Sequence, residues 1–241
     1  MSENAEHPLR EMFCRVAPTY DRLNRLLSLG IDRRWRRLLA REILTGSPRR
    51  VLDLCAGTGD LTIELARRAG PETEIMAADF CPDMLERARD KAVRRGLRDR
   101  IAFIEADAAE LPFPDGRFGA IGIAFAFRNL VYQNPRWERH LSEIRRVCAP
   151  GGRLCLVETS QPRSRAFRFA VHAYLRLLAV PLGGAISKTP ADYEYLGRSA
   201  RGFLDSESAA RMLEGAGFSE VKIRPLLGGA ACIHTARRHA P

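Results

Sequence analysis

Val51-Leu52-Asp53-Leu54-Cys55-Ala56-Gly57-Thr58-Gly59-Asp60-Leu61 is the stretch whose reading decides the fold. An apolar run leads into a string of small residues, and a helical pattern begins at Asp60. That order describes a buried parallel strand, a tight turn and a helix N-terminus. Gly57 and Gly59 have no Cβ, so the backbone there can close on a ligand. The unpaired N–H groups of the following helix point at whatever binds. Asp53 adds a carboxylate at the strand's end. The turn therefore suits a ligand with polar edges and hydroxyls better than one rich in phosphate.

Strand and helix alternate outward from this point. The pattern predicts strands at 50–54, 74–78, 101–105, 120–125 and 153–158. Helices are expected over about 60–68, 82–96, 135–148 and 206–217, the last with Asp205 as N-cap. Two more strands are expected at 220–226 and 230–236, on either side of Gly228-Gly229. Such alternation implies an α/β domain with a doubly wound, mostly parallel sheet and right-handed crossovers, with ligands bound at the carboxyl ends of its strands. Two flanking segments stand apart. Residues 1–45 read as an N-terminal helical cap, in pieces interrupted at Pro18 and Gly30. The core over 46–241 carries a helical cap insertion at about 162–204, aromatic and apolar with arginines interleaved.

The formal net charge is +10, and Lys91, Lys188 and Lys222 are the only lysines. Such a surplus keeps a chain soluble or meets an anionic partner. In the N-terminal helices Arg22, Arg25, Arg33, Arg34, Arg36, Arg37 and Arg41 lie opposite an apolar face that includes Trp35, Leu38, Leu39 and Ile43. Basic amphipathic helices of this kind either rest on anionic membrane or cover a core with a solvated face. As a group they are read here as membrane contact. The six cysteines stand at no metal-ligand spacing and form no redox motif, which reads as reduced thiols in a cytoplasmic protein without a metal site. The polar N-terminus has no signal-peptide pattern, and residues 1–8 read as disordered. No membrane span is expected, because the longest apolar stretch, about 173–186, is interrupted by Arg176 and Pro181.

Two further carboxylates narrow the ligand. Asp79 closes the second strand, where it can bridge both ribose hydroxyls of an adenosine. Asp107-Ala108 follow the third, within reach of an adenine edge. The fourth strand ends in apolar residues rather than a phosphate-binding group, and a dinucleotide would need a fuller glycine fingerprint. S-adenosylmethionine is the ligand to which these residues point, with Asp53, Gly57, Thr58, Gly59, Asp79, Asp107 and Ala108 as candidate contacts.

The chain resembles the quinone-biosynthesis C-methyltransferases that act on demethylmenaquinol or on a methoxy-polyprenyl-benzoquinol, from about Phe13 to His234. The resemblance rests on Phe13…Val16-Ala17…Tyr20-Asp21…Asn24, on Leu27-Ser28…Gly30…Trp35-Arg36, and on the glycine turn. Ala109-Glu110-Leu111-Pro112-Phe113-Pro114, Arg128-Asn129, Pro150-Gly151-Gly152, Tyr193-Glu194-Tyr195-Leu196 and Gly228-Gly229…His234 complete it. It implies the class I methyltransferase, Rossmann-like fold with a seven-stranded sheet, and S-adenosylmethionine contacts at Thr58, Asp79, Asp107 and Ala108. Departures fall at Ala124, where some members have serine, at Ala126-Phe127, where Gly-Leu is usual, and at Arg198, where an acid is common.

The expected reaction moves a methyl from a sulfonium to a ring carbon of a reduced quinol. It requires alignment and help in removing a hydroxyl proton. Arg128 is read as a charge that lowers the hydroxyl's pKa and orients a water, with Asn129 and Tyr20 positioning that water or the substrate oxygen. The resemblance implies the same trio. His140 is read as structural, and His234 as packing or beside the substrate. The expected partners are a polyprenylated quinol and the inner face of the cytoplasmic membrane, touched peripherally. No nucleic acid is expected, and a homo-oligomer stays open. An RNA methyltransferase, a benzoquinol substrate and a non-catalytic adenosine-binding subunit are the alternatives.

Overall fold

The computed structural model describes residues 8–239. Of the N-terminal stretch read as disordered, Pro8 begins a helix and the remainder lies outside the described residues. Three helices open the chain: α1 (Pro8–Val16), α2 (Tyr20–Leu27) and α3 (Ile31–Leu44). They break where proline and glycine were expected to break them, at Pro18 and at Gly30, whose φ of 74° suits only glycine comfortably.

The sheet contains β1 (Arg50–Leu54), β2 (Glu74–Asp79), β3 (Ile101–Glu105), β4 (Phe118–Ala124), β5 (Cys148–Thr159), β6 (Phe218–Leu226) and β7 (Ala231–Arg238). Its order is β3-β2-β1-β4-β5-β7-β6. β7 runs antiparallel to β5 and β6, while β1 to β5 pair in parallel. The order reverses between β1 and β4, which opens a crevice at the carboxyl ends of those strands.

Alternation within each strand feeds two cores. Leu52, Leu54, Ile121, Ile123, Leu154 and Leu156 face one way. Val51, Ala77, Ala120, Cys155, Val157 and Ile233 face the other, with Leu39 and Ile43 of α3 packed on them. Gly122 lets α3 lie this close, because a Cβ there would come 2.5 Å from Ile43 Cδ1. The sheet's covers are α4 (Asp60–Arg68), α5 (Pro82–Val93), α7 (Trp137–Val147) and α11 (Ser206–Gly215), the last capped by Asp205, which accepts from Ser208 N–H.

Four features depart from the sequence reading. Arg128 and Asn129 lie within a short helix, α6 (Phe127–Val131), entered through Phe125 at φ 61°. β5 starts at Cys148 and carries Pro150-Gly151-Gly152 along its edge, because Cys148 pairs with Phe118 across a register shift. Arg176 and Pro181 do not interrupt the cap. α8 (Arg165–Tyr174), a π-helical segment at Leu175–Ala179 and α9 (Val180–Ser187) form one run, with the local change of pitch at the π-helical segment directly preceding Pro181, which has no N–H to offer. By length and composition this 23-residue run could cross a membrane, and 17% of its apolar window is buried. α10 (Pro190–Gly202) packs back on it.

The fourth departure is chemical. Cys14 and Cys81 are bonded as a disulfide, with Cα atoms 6.0 Å apart, so these two are not the separate thiols expected. They are 67 residues apart in sequence, and only the packing of α1 on α5 brings them together. No spacing rule reports such a contact.

Candidate active site

A cleft enclosing roughly 890 Å³, including its open mouth, lies over the carboxyl ends of β1, β2 and β4. The glycine turn, Asp53, Asp79, Asp107 and Ala108 form its floor. Phe13, Tyr20 and Arg36 of the N-terminal helices roof it, and Phe125, Asn129 and Leu130 close one end.

The turn is built for close approach. Gly57 and Gly59 have φ of 55° and 78°. A Cβ on Gly59 would meet Ala88 Cβ at 2.9 Å, whereas one on Gly57 would enter open space. Asp79 spans the turn, with one carboxylate oxygen accepting from Gly57 N–H at 2.7 Å and the other from Cys81 N–H at 2.9 Å. Burial pushes the Asp79 carboxyl up to about 6 despite those donors. Asp53 accepts from the Thr62 hydroxyl. Burial pushes its carboxyl further, to about 7, although Thr62 and the Arg36 charge work against the rise. Two buried carboxylates at the floor favour a ligand that brings positive charge and hydroxyl donors. S-adenosylmethionine has a sulfonium, an ammonium and a ribose diol, so the donor set fits it.

Thr58 sits differently from expectation. Its hydroxyl donates to Asp21 of α2 and accepts from Lys91 Nζ at 3.3 Å. Lys91 in turn bridges Asp21 at 2.7 Å and Asp60 at 2.5 Å. Burial alone would raise the Asp60 carboxyl, but the Lys91 and Arg36 charges bring it below its usual value. This buried network ties α2 to the glycine turn. Lys91 was legible only as one lysine among many arginines. Asp107 accepts from Ala109 N–H at 2.9 Å and pairs with Arg136 at 2.7 Å. Those two partners outweigh burial and lower its carboxyl.

Of the expected catalytic trio, Tyr20 and Asn129 line the cleft and Arg128 does not. The Arg128 guanidinium pairs with Glu158 at 2.9 Å and donates to Thr159 Oγ1 at 2.8 Å and to Ser199 Oγ at 3.1 Å. Its own N–H donates to Glu158 at 3.0 Å. Both side chains are buried, so the pair fastens α6 to the end of β5. Asn129 is buried beside it, and its Oδ1 has no hydrogen-bond partner among the described residues. A buried acceptor left unpaired costs about 1–3 kcal/mol, and Ser160 Oγ, Tyr193 Oη and His234 Nδ1 are in the same state among the described residues. Burial raises the Tyr20 phenol, against the charges of Arg36 and Arg128. His140 is buried at the cleft wall with Nδ1 2.8 Å from Leu130 O, while His234 stands on β7, outside the cleft lining, with Nε2 2.9 Å from Ser206 O.

Arg36 corrects the sequence reading most sharply. It was grouped with the arginines of the outer face, yet it is 7% exposed. It pairs with Asp32 one turn earlier and lies 5.0 Å from the centre of the Phe125 ring. The helical repeat itself places it on the buried stripe of α3, one turn before Leu39 and Ala40 and two before Ile43, where it faces the cleft and the Phe125 ring. On its outer side Arg36 also borders a basic groove with Arg25, Arg33, Arg37, Arg67, Arg68 and Arg95. Among the described residues, no group of three or more His, Cys, Asp or Glu could hold a metal ion.

The comparisons agree with this geometry. Residues 1–238 match the model of the ubiE/COQ5 methyltransferase family. The chain is 47% identical over 227 residues to a demethylmenaquinone methyltransferase of Thermus thermophilus, covering 94% of this chain and 100% of that one. It is 44% identical to a demethylmenaquinone methyltransferase of Deinococcus radiodurans, covering 92% and 89%. It is 39% identical to a ubiquinone/menaquinone biosynthesis C-methyltransferase of Geobacter sulfurreducens, covering 99% and 91%. Among solved structures, the [4+2]-cyclase SpnF aligns with a TM-score of 0.69 at 19% identity over 97% of this chain and 96% of that one. A SAM-dependent methyltransferase from Aquifex aeolicus aligns with a TM-score of 0.57 at 18% identity over 83% and 89%. The structural likenesses establish the fold, and the sequence match over nearly the whole length establishes that the chain belongs to the ubiE/COQ5 methyltransferase family.

Proposed function

We propose that this C-methyltransferase converts demethylmenaquinol to menaquinol, methylating a ring carbon of a reduced, polyprenylated naphthoquinol. The observation that carries this reading is the one cleft that joins Tyr20 and Asn129, whose Oδ1 is buried without a partner among the described residues, to the carboxylate-lined glycine turn. The relatives at 47% and 44% identity bear the demethylmenaquinone name, which favours the naphthoquinol over the benzoquinol.

S-adenosylmethionine supplies a methyl already activated on a sulfonium. Asp79 would accept from its ribose hydroxyls with the lone pairs that Gly57 and Cys81 leave free. Asp53 would answer the positive charge of its ammonium group. Gly57 and Gly59 let the backbone approach, Thr58 holds the turn through Asp21 and Lys91, and Asp107 with Ala108 borders the adenine. Asn129 accepts from a quinol hydroxyl, and Tyr20 orients the same oxygen from the opposite wall. Arg128 is a positioning residue here: with Glu158 it fixes α6 and therefore Asn129. The helices α1 to α3 and α8 to α10 exclude water.

The prenyl tail requires access to a bilayer. Leu29 is 90% exposed at the tip between α2 and α3, and Phe169, Leu177 and Leu178 are exposed on α8 and the π-helical segment. Arg165, Arg168 and Arg176 interleave with them, which favours the run lying on the inner face of the cytoplasmic membrane rather than crossing it. Incubation with isotopically labelled S-adenosylmethionine and each reduced demethyl quinol, followed by mass spectrometry, tests the reading. Label in the naphthoquinol is the expected outcome. Label in the benzoquinol alone would reassign the substrate, and label in neither would remove the reading.

A further inference from the structure

The proposed reaction needs a positive charge facing the quinol oxygen, because the ring carbon becomes nucleophilic only as the hydroxyl proton leaves. The sequence offers Arg128 for that task, but its guanidinium faces Glu158, Thr159 and Ser199, and it is absent from the cleft wall. Glu158 is 2% exposed and offsets its charge from within the fold.

Arg36 is likewise paired with a buried carboxylate, Asp32 on its own helix and its one ion-pair partner among the described residues, but unlike Arg128 it lines the cleft. The Phe125 ring lies 5.0 Å from its Cζ and fixes its placement. Trp35 supports that ring, with centroids 6.0 Å apart. A guanidinium has five N–H donors in a rigid fork, so a single carboxylate leaves donors for a ligand. The groups that feel its charge from other elements are Tyr20 on α2, Asp53 on β1 and Asp60 on α4. Asp60 is already paired with Lys91. Asp53 sits at the cofactor end, which leaves the region beside Tyr20 and Asn129 for a substrate oxygen.

We propose that Arg36, rather than Arg128, is the catalytic residue that stabilises the quinol oxyanion. The inference rests on the quinol-methylating reading above. In the step, the hydroxyl proton leaves to water and the oxygen becomes an anion facing the Arg36 guanidinium. The ring carbon then bonds to the methyl as the carbon–sulfur bond breaks, with its electron pair staying on sulfur. The ring carbon loses its proton and the oxygen regains one, so one proton is released overall. Asp32 holds Arg36 from behind, and Phe125 keeps water from its face.

The test compares Arg36→Met, Arg36→Lys and Arg128→Met in the full chain. Removing one preorganised oxyanion donor costs about 100-fold or more in kcat. Arg36→Met is expected to lose about that much near neutral pH with S-adenosylmethionine saturating, and to recover as rising pH ionises the hydroxyl unaided. Arg36→Lys keeps the charge and is expected to retain most of kcat. A second readout needs no turnover. The ionisation of bound 4-methoxy-1-naphthol, followed by absorbance with S-adenosylhomocysteine present, should require a pH about one unit higher in Arg36→Met than in the original chain. Unchanged naphthol ionisation in Arg36→Met, or a shift produced by Arg128→Met instead, overturns the assignment. If the original chain methylates no quinol while its bound naphthol still ionises early, the substrate reading fails and Arg36 remains an oxyanion site.

Discussion

Individual residues decide the chemistry of the cleft, and its two floor carboxylates make the clearest statement about pH. Burial lifts Asp53 to about 7 and Asp79 to about 6, from an ordinary value of 3.8. Between the ordinary and lifted values, the folded protein keeps protons that the unfolded chain has released. Stability of the ligand-free protein therefore falls as pH rises from about 4 to about 7. Binding of a cation with hydroxyl donors reverses the trend, because it favours both carboxylates in ionised form. Affinity for S-adenosylmethionine is expected to be about tenfold or more weaker at pH about 5.5 than at about 7.5, with protons released on binding. Calorimetric titration in two buffers of different ionisation enthalpy measures both, and an affinity independent of pH across that interval contradicts the assignment.

Asp53, Asp79, Asp107 and the glycine turn were placed from the sequence because each stands at or just after a strand end, where the fold dictates the direction, whereas Asn129 came from the resemblance and lies within α6. The pairing of Arg128 was not legible in the sequence. Arg36 repeats with Leu39, Ala40 and Ile43 at helical spacing, so its burial was open to a closer reading of that repeat, but the partner of Arg128 comes from a strand about which periodicity along one helix carries no information. Glu158, the partner that occupies Arg128, was missed for the same reason: it is 30 residues away.

At the scale of elements, the junction between the N-terminal helices and the core is held by polar chemistry as well as by packing. Lys91 of α5 joins Asp21 of α2 to Asp60 of α4, and Thr58 of the glycine turn shares the network. The Cys14–Cys81 bond fastens α1 to the same core helix. Lys91→Met leaves two carboxylates without their cation. Full burial of such an orphan costs about 3–5 kcal/mol, and the partial exposure of Asp21 and Asp60 reduces this to about 2. Thermal unfolding with limited proteolysis of α1 to α3 measures it. The expected result is a lower midpoint with earlier cleavage in the cap, and wild-type behaviour in both would remove the latch. Strand and helix positions were legible from alternation, and most boundaries fell close to the expected ones. The continuous run Arg165–Ser187 was not, because a π-helical turn absorbs what the sequence presents as a break.

For the whole molecule, charge and apolar exposure converge on one functional arrangement. A net charge of +10 is spread over a chain whose basic groove borders the cleft and whose N-terminal helices leave Leu26 and Leu29 exposed. Each basic side chain near an anionic bilayer contributes about 1 kcal/mol, and the attraction fades with salt. The protein is expected to sediment with phosphatidylglycerol-containing vesicles at low salt and to be released as salt rises, while Leu29→Asp weakens binding about tenfold. Equal binding to neutral vesicles contradicts the electrostatic part of this account.

The central claim is that a methyl group reaches a ring carbon of a reduced naphthoquinol. It is tested most directly by carbon-13 NMR of the product made from S-adenosylmethionine labelled in its methyl group, with the quinol held reduced under argon. The account predicts a single labelled signal in the aryl-methyl region, and no label when the oxidised quinone is supplied. A signal in the methoxy region, or equal labelling of the oxidised quinone, would contradict it.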